Sequence, residues 1–151
     1  MRYWYLSFLI LACCSVEPEP ISFGQDACDF CRMTIVDQAH AAELVTTKGK
    51  VYKFDAIECM VNFEARNNHE YAHKLAMNYS EPGKFLDAGS ARFLISENIP
   101  SPMGAYLSAF SDMSTAQQHS SLDTDLVLDY GQLAERLKNR KLMNDRSKQA
   151  E

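Results

Sequence analysis

The alternation of hydrophobic and polar positions changes character several times along the chain. Near the start, Arg2 precedes the apolar run Leu6-Ser7-Phe8-Leu9-Ile10-Leu11-Ala12, which ends in Cys13-Cys14. The run is too short to cross a bilayer and has the length of a secretory signal. Periodicity then disappears. Residues 14–25 include Glu17-Pro18-Glu19-Pro20, and the alternating prolines predict an extended, flexible polar tether. From Ala41 the pattern becomes strand-like: Ala42 to Thr47 and Lys50 to Phe54 flank Gly49, predicting a β-hairpin. The period then lengthens to that of a helix, with Ile57, Met60, Val61 and the adjoining Phe63 forming an apolar face. Asp55 and Glu58 have the spacing of a capping box, and Asn67-Asn68 ends the helix.

A second pass repeats this grammar. Tyr71 to Tyr79 predicts a strand, Glu81-Pro82-Gly83-Lys84 a turn, and Phe85-Leu86 and Ala91 to Ile95 further extended runs. Asn98 to Gly104, broken by Pro100 and Pro102, is a loop; Ala105 to Phe110 is a strand, and Ser114 to Gln117 has helix-start spacing. Asp37, Ala41 and Leu44 correspond to Asp87, Ala91 and Leu94, and Phe54-Asp55 corresponds to Phe110-Ser111-Asp112. The expected class is therefore α+β, built from duplicated ββα-type units, with Pro100 to Met103 inserted in the second copy. Asp129 and Gln132 can cap a last helix carrying Leu133, Leu137 and Met143. The expected division is a leader over 1–13, a tether over 14–25, one folded domain over 26–143 and a disordered tail over 144–151.

Composition narrows the function. A chain of 151 residues most simply makes one domain, and a formal charge of -5 leaves no basic stripe for nucleic acid. The only basic run, Arg136 to Lys148, is mixed with acidic residues and reads as a solvated helix end. Leu11-Ala12-Cys13-Cys14 resembles a bacterial lipoprotein signal, with either Cys13 or Cys14 as the lipidated residue. Export to an oxidising compartment then leaves Cys28, Cys31 and Cys59, an odd number that cannot all pair internally.

The sharpest chemistry lies in Cys28-Asp29-Phe30-Cys31-Arg32-Met33. Two thiols and a thioether so close together suit a soft ion, and Cu(I) best of all. A CxxC pair is shared with zinc sites, disulfides and redox dithiols. Asp29 and Phe30 between the cysteines, and the lack of a preceding strand, argue against a thioredoxin-like centre. Met103, on the Ser101-Pro102-Met103-Gly104 loop, offers another soft donor, and His119 or His40 could add a nitrogen from a distant segment. Met60 and Cys59 sit on or beside the apolar helix face, where core packing is the default explanation and ligation the alternative. His69 and His73 lack the glutamate of an HExxH motif, and no phosphate loop, dinucleotide fingerprint or nucleophile elbow is present.

The knuckle, His40-Ala41-Ala42-Glu43, Tyr52-Lys53-Phe54-Asp55-Ala56-Ile57-Glu58-Cys59-Met60 and Ser101-Pro102-Met103-Gly104 together resemble the NosL family, accessory lipoproteins of nitrous oxide reductase. The resemblance implies two ββα-type repeats, partly like organomercurial lyase. It implies a non-enzymatic Cu(I) chaperone, periplasmic and lipid-anchored to a bacterial membrane. Its partners would be the NosDFY transporter complex and, directly or indirectly, the reductase, whose copper–sulfide centre it would supply. By correspondence Cys28, Cys31 and Met33 carry the knuckle role, and Met60 and Met103 are the family-like methionines. Phe54-Asp55-Ala56-Ile57 departs from the commoner Phe-Asp-Asp-Ile, and Glu58 stands where glycine is common, which leaves room for Zn(II) at a second, harder site. The rivals are a lipoprotein scaffold stapled by a Cys28–Cys31 disulfide and a periplasmic thiol oxidoreductase.

Overall fold

The structure, a computed structural model, describes residues 16–149. The leader and its lipidation site at Cys13 or Cys14 lie outside the described residues. The chain runs through β1 (Ala42–Thr46), β2 (Val51–Phe54), α1 (Ile57–Glu64), β3 (Tyr71–Met77), β4 (Phe85–Asp87), β5 (Arg92–Ile95), β6 (Leu107–Phe110), α2 (Met113–His119), β7 (Leu126–Leu128) and α3 (Tyr130–Gln149). These elements form a mixed fold of two small sheets flanked by helices, in the orders β2-β1-β3-β4 and β6-β5-β7.

The repeat is visible in the pairing. In each unit a hairpin leads into a helix, and the next strand returns antiparallel beside the first strand of the hairpin. Ala42 faces Phe54 in one copy and Arg92 faces Phe110 in the other. Each unit is introduced by an aspartate turn: Asp37 Oδ1 accepts from the Ala39 N–H at 2.8 Å, and Asp87 Oδ1 from the Gly89 N–H at 3.0 Å. Such turns satisfy local donors without a strand partner, so they start the hairpins at matching places. The copies differ in the hairpin connection, which in the second runs from Ser96 to Tyr106 and contains Pro100 and Pro102.

One core spans both units. Tyr79 N–H donates to the Ala109 carbonyl at 2.8 Å, carrying the chain from the first sheet to the second. Leu44, Phe54, Ile57 and Met60 of the first unit belong to the same buried cluster as Phe93, Leu107 and Leu133 of the second. β1 is buried throughout because it is flanked by strands on both edges and covered on both faces.

Three expectations are corrected and one element is added. The Asp55–Glu58 capping box does not form: Ala56 is the N-cap of α1, with no side-chain cap bond, and both carboxylates are buried instead. Asp112, rather than Ser114, caps α2, accepting from the Thr115 N–H at 2.8 Å. β7 adds a strand that three residues of apolar sequence were too short to announce. The region expected as a tail from 144 continues α3 as far as Gln149.

The expected tether is also docked from Val16 onward. One polar side chain from each of three neighbouring strands grips it. His73 Nε2 donates to the Val16 carbonyl at 3.1 Å, Glu43 Oε1 accepts from the Glu19 N–H at 3.0 Å, and Lys53 Nζ donates to the Pro20 carbonyl at 2.9 Å. Pro18 and Pro20 bring no N–H groups to this face, so few donors are left needing partners. Ile21 is buried behind them, and burial pushes the Glu43 carboxyl up to about 7. Lys53→Ala removes the grip at Pro20 and at Asp26 Oδ2, 2.9 Å away. It is expected to speed amide hydrogen exchange at Glu19, whose N–H donates to Glu43 in the docked strap, by about tenfold, a local opening that leaves global stability largely intact. Unchanged exchange would show that the strap is held elsewhere.

Candidate metal centre

The knuckle is a small hairpin of its own. Ala27 bridges Thr34, Cys28 N–H donates to the Met33 carbonyl at 2.8 Å, and Arg32 N–H donates to the Cys28 carbonyl at 3.0 Å. Arg32 closes the turn with φ 69°, the left-handed conformation that lets the chain reverse immediately after the second cysteine. Asp29 fastens this hairpin to β2, since its N–H donates to the Lys53 carbonyl and its Oδ2 accepts from the Lys53 N–H, each at 2.9 Å. The Arg66 guanidinium covers the Phe30 ring at 4.6 Å.

Fastening the knuckle to the end of β2 decides the site. β2 leads within two residues into α1, whose first turn carries Cys59. The three sulfurs of Cys28, Cys31 and Cys59 lie within 4.8 Å of one another, all as free thiols. Cys28 and Cys59 are buried, whereas Cys31 is partly exposed and forms the accessible side.

The three thiols are not equivalent. Cys28 is held down to about 5, chiefly by the hydrogen bond from the Cys59 thiol, with backbone N–H groups of Cys31, Asp55 and Phe30 adding to it against the effect of burial. Its sulfur accepts from the Cys31 N–H at 3.5 Å. Cys59, which donates to Cys28, is pushed up by that bond and then by burial, and Cys31 is pushed up first by burial. The centre thus holds one thiolate at neutral pH with two thiols beside it. In metal-free reduced protein, thiolate absorbance is expected to appear with a midpoint near 5, as one of the three sulfurs titrates. Because that value lies below the unfolded range, the ionised sulfur stabilises the fold above the ordinary thiol range, and the benefit is lost as pH falls through about 5. A first titration near 8.5, the ordinary thiol value, would refute the arrangement.

Chemically, three sulfurs converging from two backbone segments form a site able to hold a metal ion. A family model described as NosL matches residues 20–136, most of the chain. The chain belongs to the NosL family. Among solved structures, the crystal structure of the copper chaperone NosL from Shewanella denitrificans superposes with a TM-score of 0.66 at 20% identity, covering 78% of this chain and 95% of that one. At that identity the likeness is one of fold. No curated protein matches the sequence.

Within this NosL fold the other expected donors fall in different settings. Met33 (52% exposed) follows Cys31 by two residues on the outside of the knuckle, and Met103 (41% exposed) stands on the long connection of the second hairpin. Met60, next to Cys59, is fully buried in the common core. His119 lies in the second unit, where its ring packs on Phe110 with centroids 4.7 Å apart and its Nδ1 donates to the Thr115 carbonyl at 2.9 Å. Both nitrogens of His40 are engaged, with Asp37 Oδ2 at 2.8 Å and Ser108 Oγ at 3.1 Å. That chain has the order of a hydrolase triad, yet Ser108 is fully buried, so its hydroxyl has no route to a substrate. Cys59, whose place beside the apolar helix stripe makes packing its default role, is the sulfur that the fold adds to the CxxC pair. The odd number of cysteines was the one signal that pointed to it.

Among the described residues no helix is long and apolar enough to cross a membrane.

Proposed function

We propose that this protein is a periplasmic, lipid-anchored Cu(I) carrier that serves the assembly of the nitrous oxide reductase copper–sulfide centre, receiving or passing its ion through the NosDFY complex. The observation that carries the reading is the Cys28–Cys31–Cys59 cluster, with a thiolate ready at Cys28 and one sulfur facing outward. Thiolate sulfur selects soft ions, and a set of three suits the low coordination numbers of Cu(I). Family membership and the fold shared with a copper chaperone support the same assignment.

The action is ligand exchange. Cu(I) meets Cys31 first, because that sulfur is accessible, and settles as Cys31 and Cys59 give up their protons to solvent. Cys28 is already ionised at neutral pH and accepts the ion without losing a proton. A partner's sulfur approaching from the Cys31 side forms its bond before the buried sulfurs release theirs, so copper never passes through water.

Anaerobic titration of reduced protein against a Cu(I) chelator tests this, with X-ray absorption of the loaded form. The expected result is one equivalent of Cu(I) in a sulfur environment. Reduced protein that takes up no Cu(I) in weakly competing buffer would overturn the reading and leave the stapled-scaffold alternative in its place. Metal analysis of the same samples would reveal Zn(II) if a second site exists.

A further inference from the structure

Glu58 is a buried carboxylate with no place in the thiol centre, although it immediately precedes Cys59. Its Oε1 accepts two hydrogen bonds from the long connection of the second hairpin, from Ser101 Oγ at 2.9 Å and from the Ala105 N–H at 3.2 Å. Its Oε2 is buried and has no partner. A charged side chain is seldom kept in such a position without a task, because burying it is costly and only half of its capacity is used.

The arrangement of the loop shows what the contact does. Ser101 and Ala105 lie two residues before and two residues after Met103, so one oxygen ties both ends of the segment that carries the methionine. Gly104 (φ 72°) and Tyr106 (φ 58°) both adopt the left-handed conformation and bracket Ala105. A tyrosine there is strained, and persists only where the surroundings hold it. The two reversals aim the Ala105 N–H at Glu58 and leave Met103 and Tyr106 exposed. The loop is thereby fixed to the first turn of α1, the turn that bears Cys59.

We propose that Glu58 is a positioning residue for copper transfer: by clasping Ser101 and Ala105 it holds the exposed thioether of Met103 beside the helix turn that carries Cys59, as the soft donor through which Cu(I) moves between the thiol centre and a partner. The proposal rests on the copper-carrier reading. Met103 then governs how fast the ion exchanges, while the thiols govern how tightly it is held. Thioether sulfur suits this step because it binds Cu(I) without a proton to lose.

The test has two arms, both on the reduced full chain. In metal-free protein, amide hydrogen exchange at Ala105 is expected to be about tenfold faster in Glu58→Ala, the loss of a charge-assisted hydrogen bond, and near wild type in Glu58→Gln, which keeps an acceptor oxygen. In Cu(I)-loaded protein, Glu58→Ala and Met103→Leu are each expected to slow transfer to a bidentate Cu(I) chelator by about tenfold, with equilibrium affinity changed less than about threefold. The double variant should be no slower than either single one, as for residues acting as a unit. If Glu58→Ala does not fold, Ser101→Ala, which removes one of the two donors, should shift both measurements in the same direction. Unchanged exchange at Ala105, an unchanged transfer rate in Glu58→Ala, or slowing that multiplies in the double variant would each overturn the proposal. Wild-type protein that binds no Cu(I) would instead defeat the carrier reading, and the exchange arm would still decide whether Glu58 holds the loop.

Discussion

Cys59→Ser is expected to weaken Cu(I) binding by at least about a hundredfold, because groups that merely orient a ligand already cost ten- to a hundredfold when removed. The substitution separates two contributions of this residue. Serine keeps a hydroxyl able to donate to the Cys28 sulfur, so the low titration of Cys28, which depends chiefly on the bond from Cys59, should survive. What disappears is the third soft donor. Cys28→Ser, which removes the thiolate itself, should cause a loss at least as large. Competition titrations with a chelator of known affinity measure both, and absorption at the sulfur edge counts the remaining ligands. If Cys59→Ser bound Cu(I) at wild-type strength, the ion would be held by the knuckle without α1, and Cys59 would return to the role of a small buried side chain.

The second large effect is on stability. Phe54→Ala is expected to destabilise the fold by about 3–5 kcal/mol, the usual cost of emptying a buried phenylalanine site. Phe54 is fully buried, faces Ala42 across the β1–β2 pair and packs on Phe63 of α1 at a centroid distance of 5.2 Å. Strands pair on one side of it and the helix covers the other, so the cavity has little freedom to collapse. The midpoint of thermal unfolding should fall by roughly 10–20 °C for a domain of this size. Met113→Ala, at an exposed position of α2, should stay within about 0.5 kcal/mol. Urea titration of the two variants side by side checks the contrast. Equal effects would mean that the shared core does not carry the fold.

Much of the architecture was legible because local rhythm reports local structure. Residues 42–47 and 50–54 alternate with the period of a pleated strand, and Ile57, Met60 and Val61 recur with the period of a helix, so the first hairpin and α1 were readable. Duplication was readable too, because each copy had to begin with the same aspartate turn and the same small residue before its first strand. The capping assignment failed at Asp55 and Glu58 for the opposite reason. Their spacing satisfied a local rule, but the fold buries both carboxylates, and Glu58 accepts from the 101–105 segment instead of capping the helix.

By itself the sequence determined the class of the fold, its repeat and two of the three sulfurs, since a CxxC turn brings its own thiols together through neighbouring backbone. Only the tertiary structure decided that Cys59 completes the centre, that Glu58 clasps the loop of Met103 and that residues 16–21 lie strapped across the sheet. Each of these joins positions more than twenty residues apart, through side-chain orientation and burial. Hydrophobic periodicity says which face of an element turns inward; it carries no record of which distant face will meet it there.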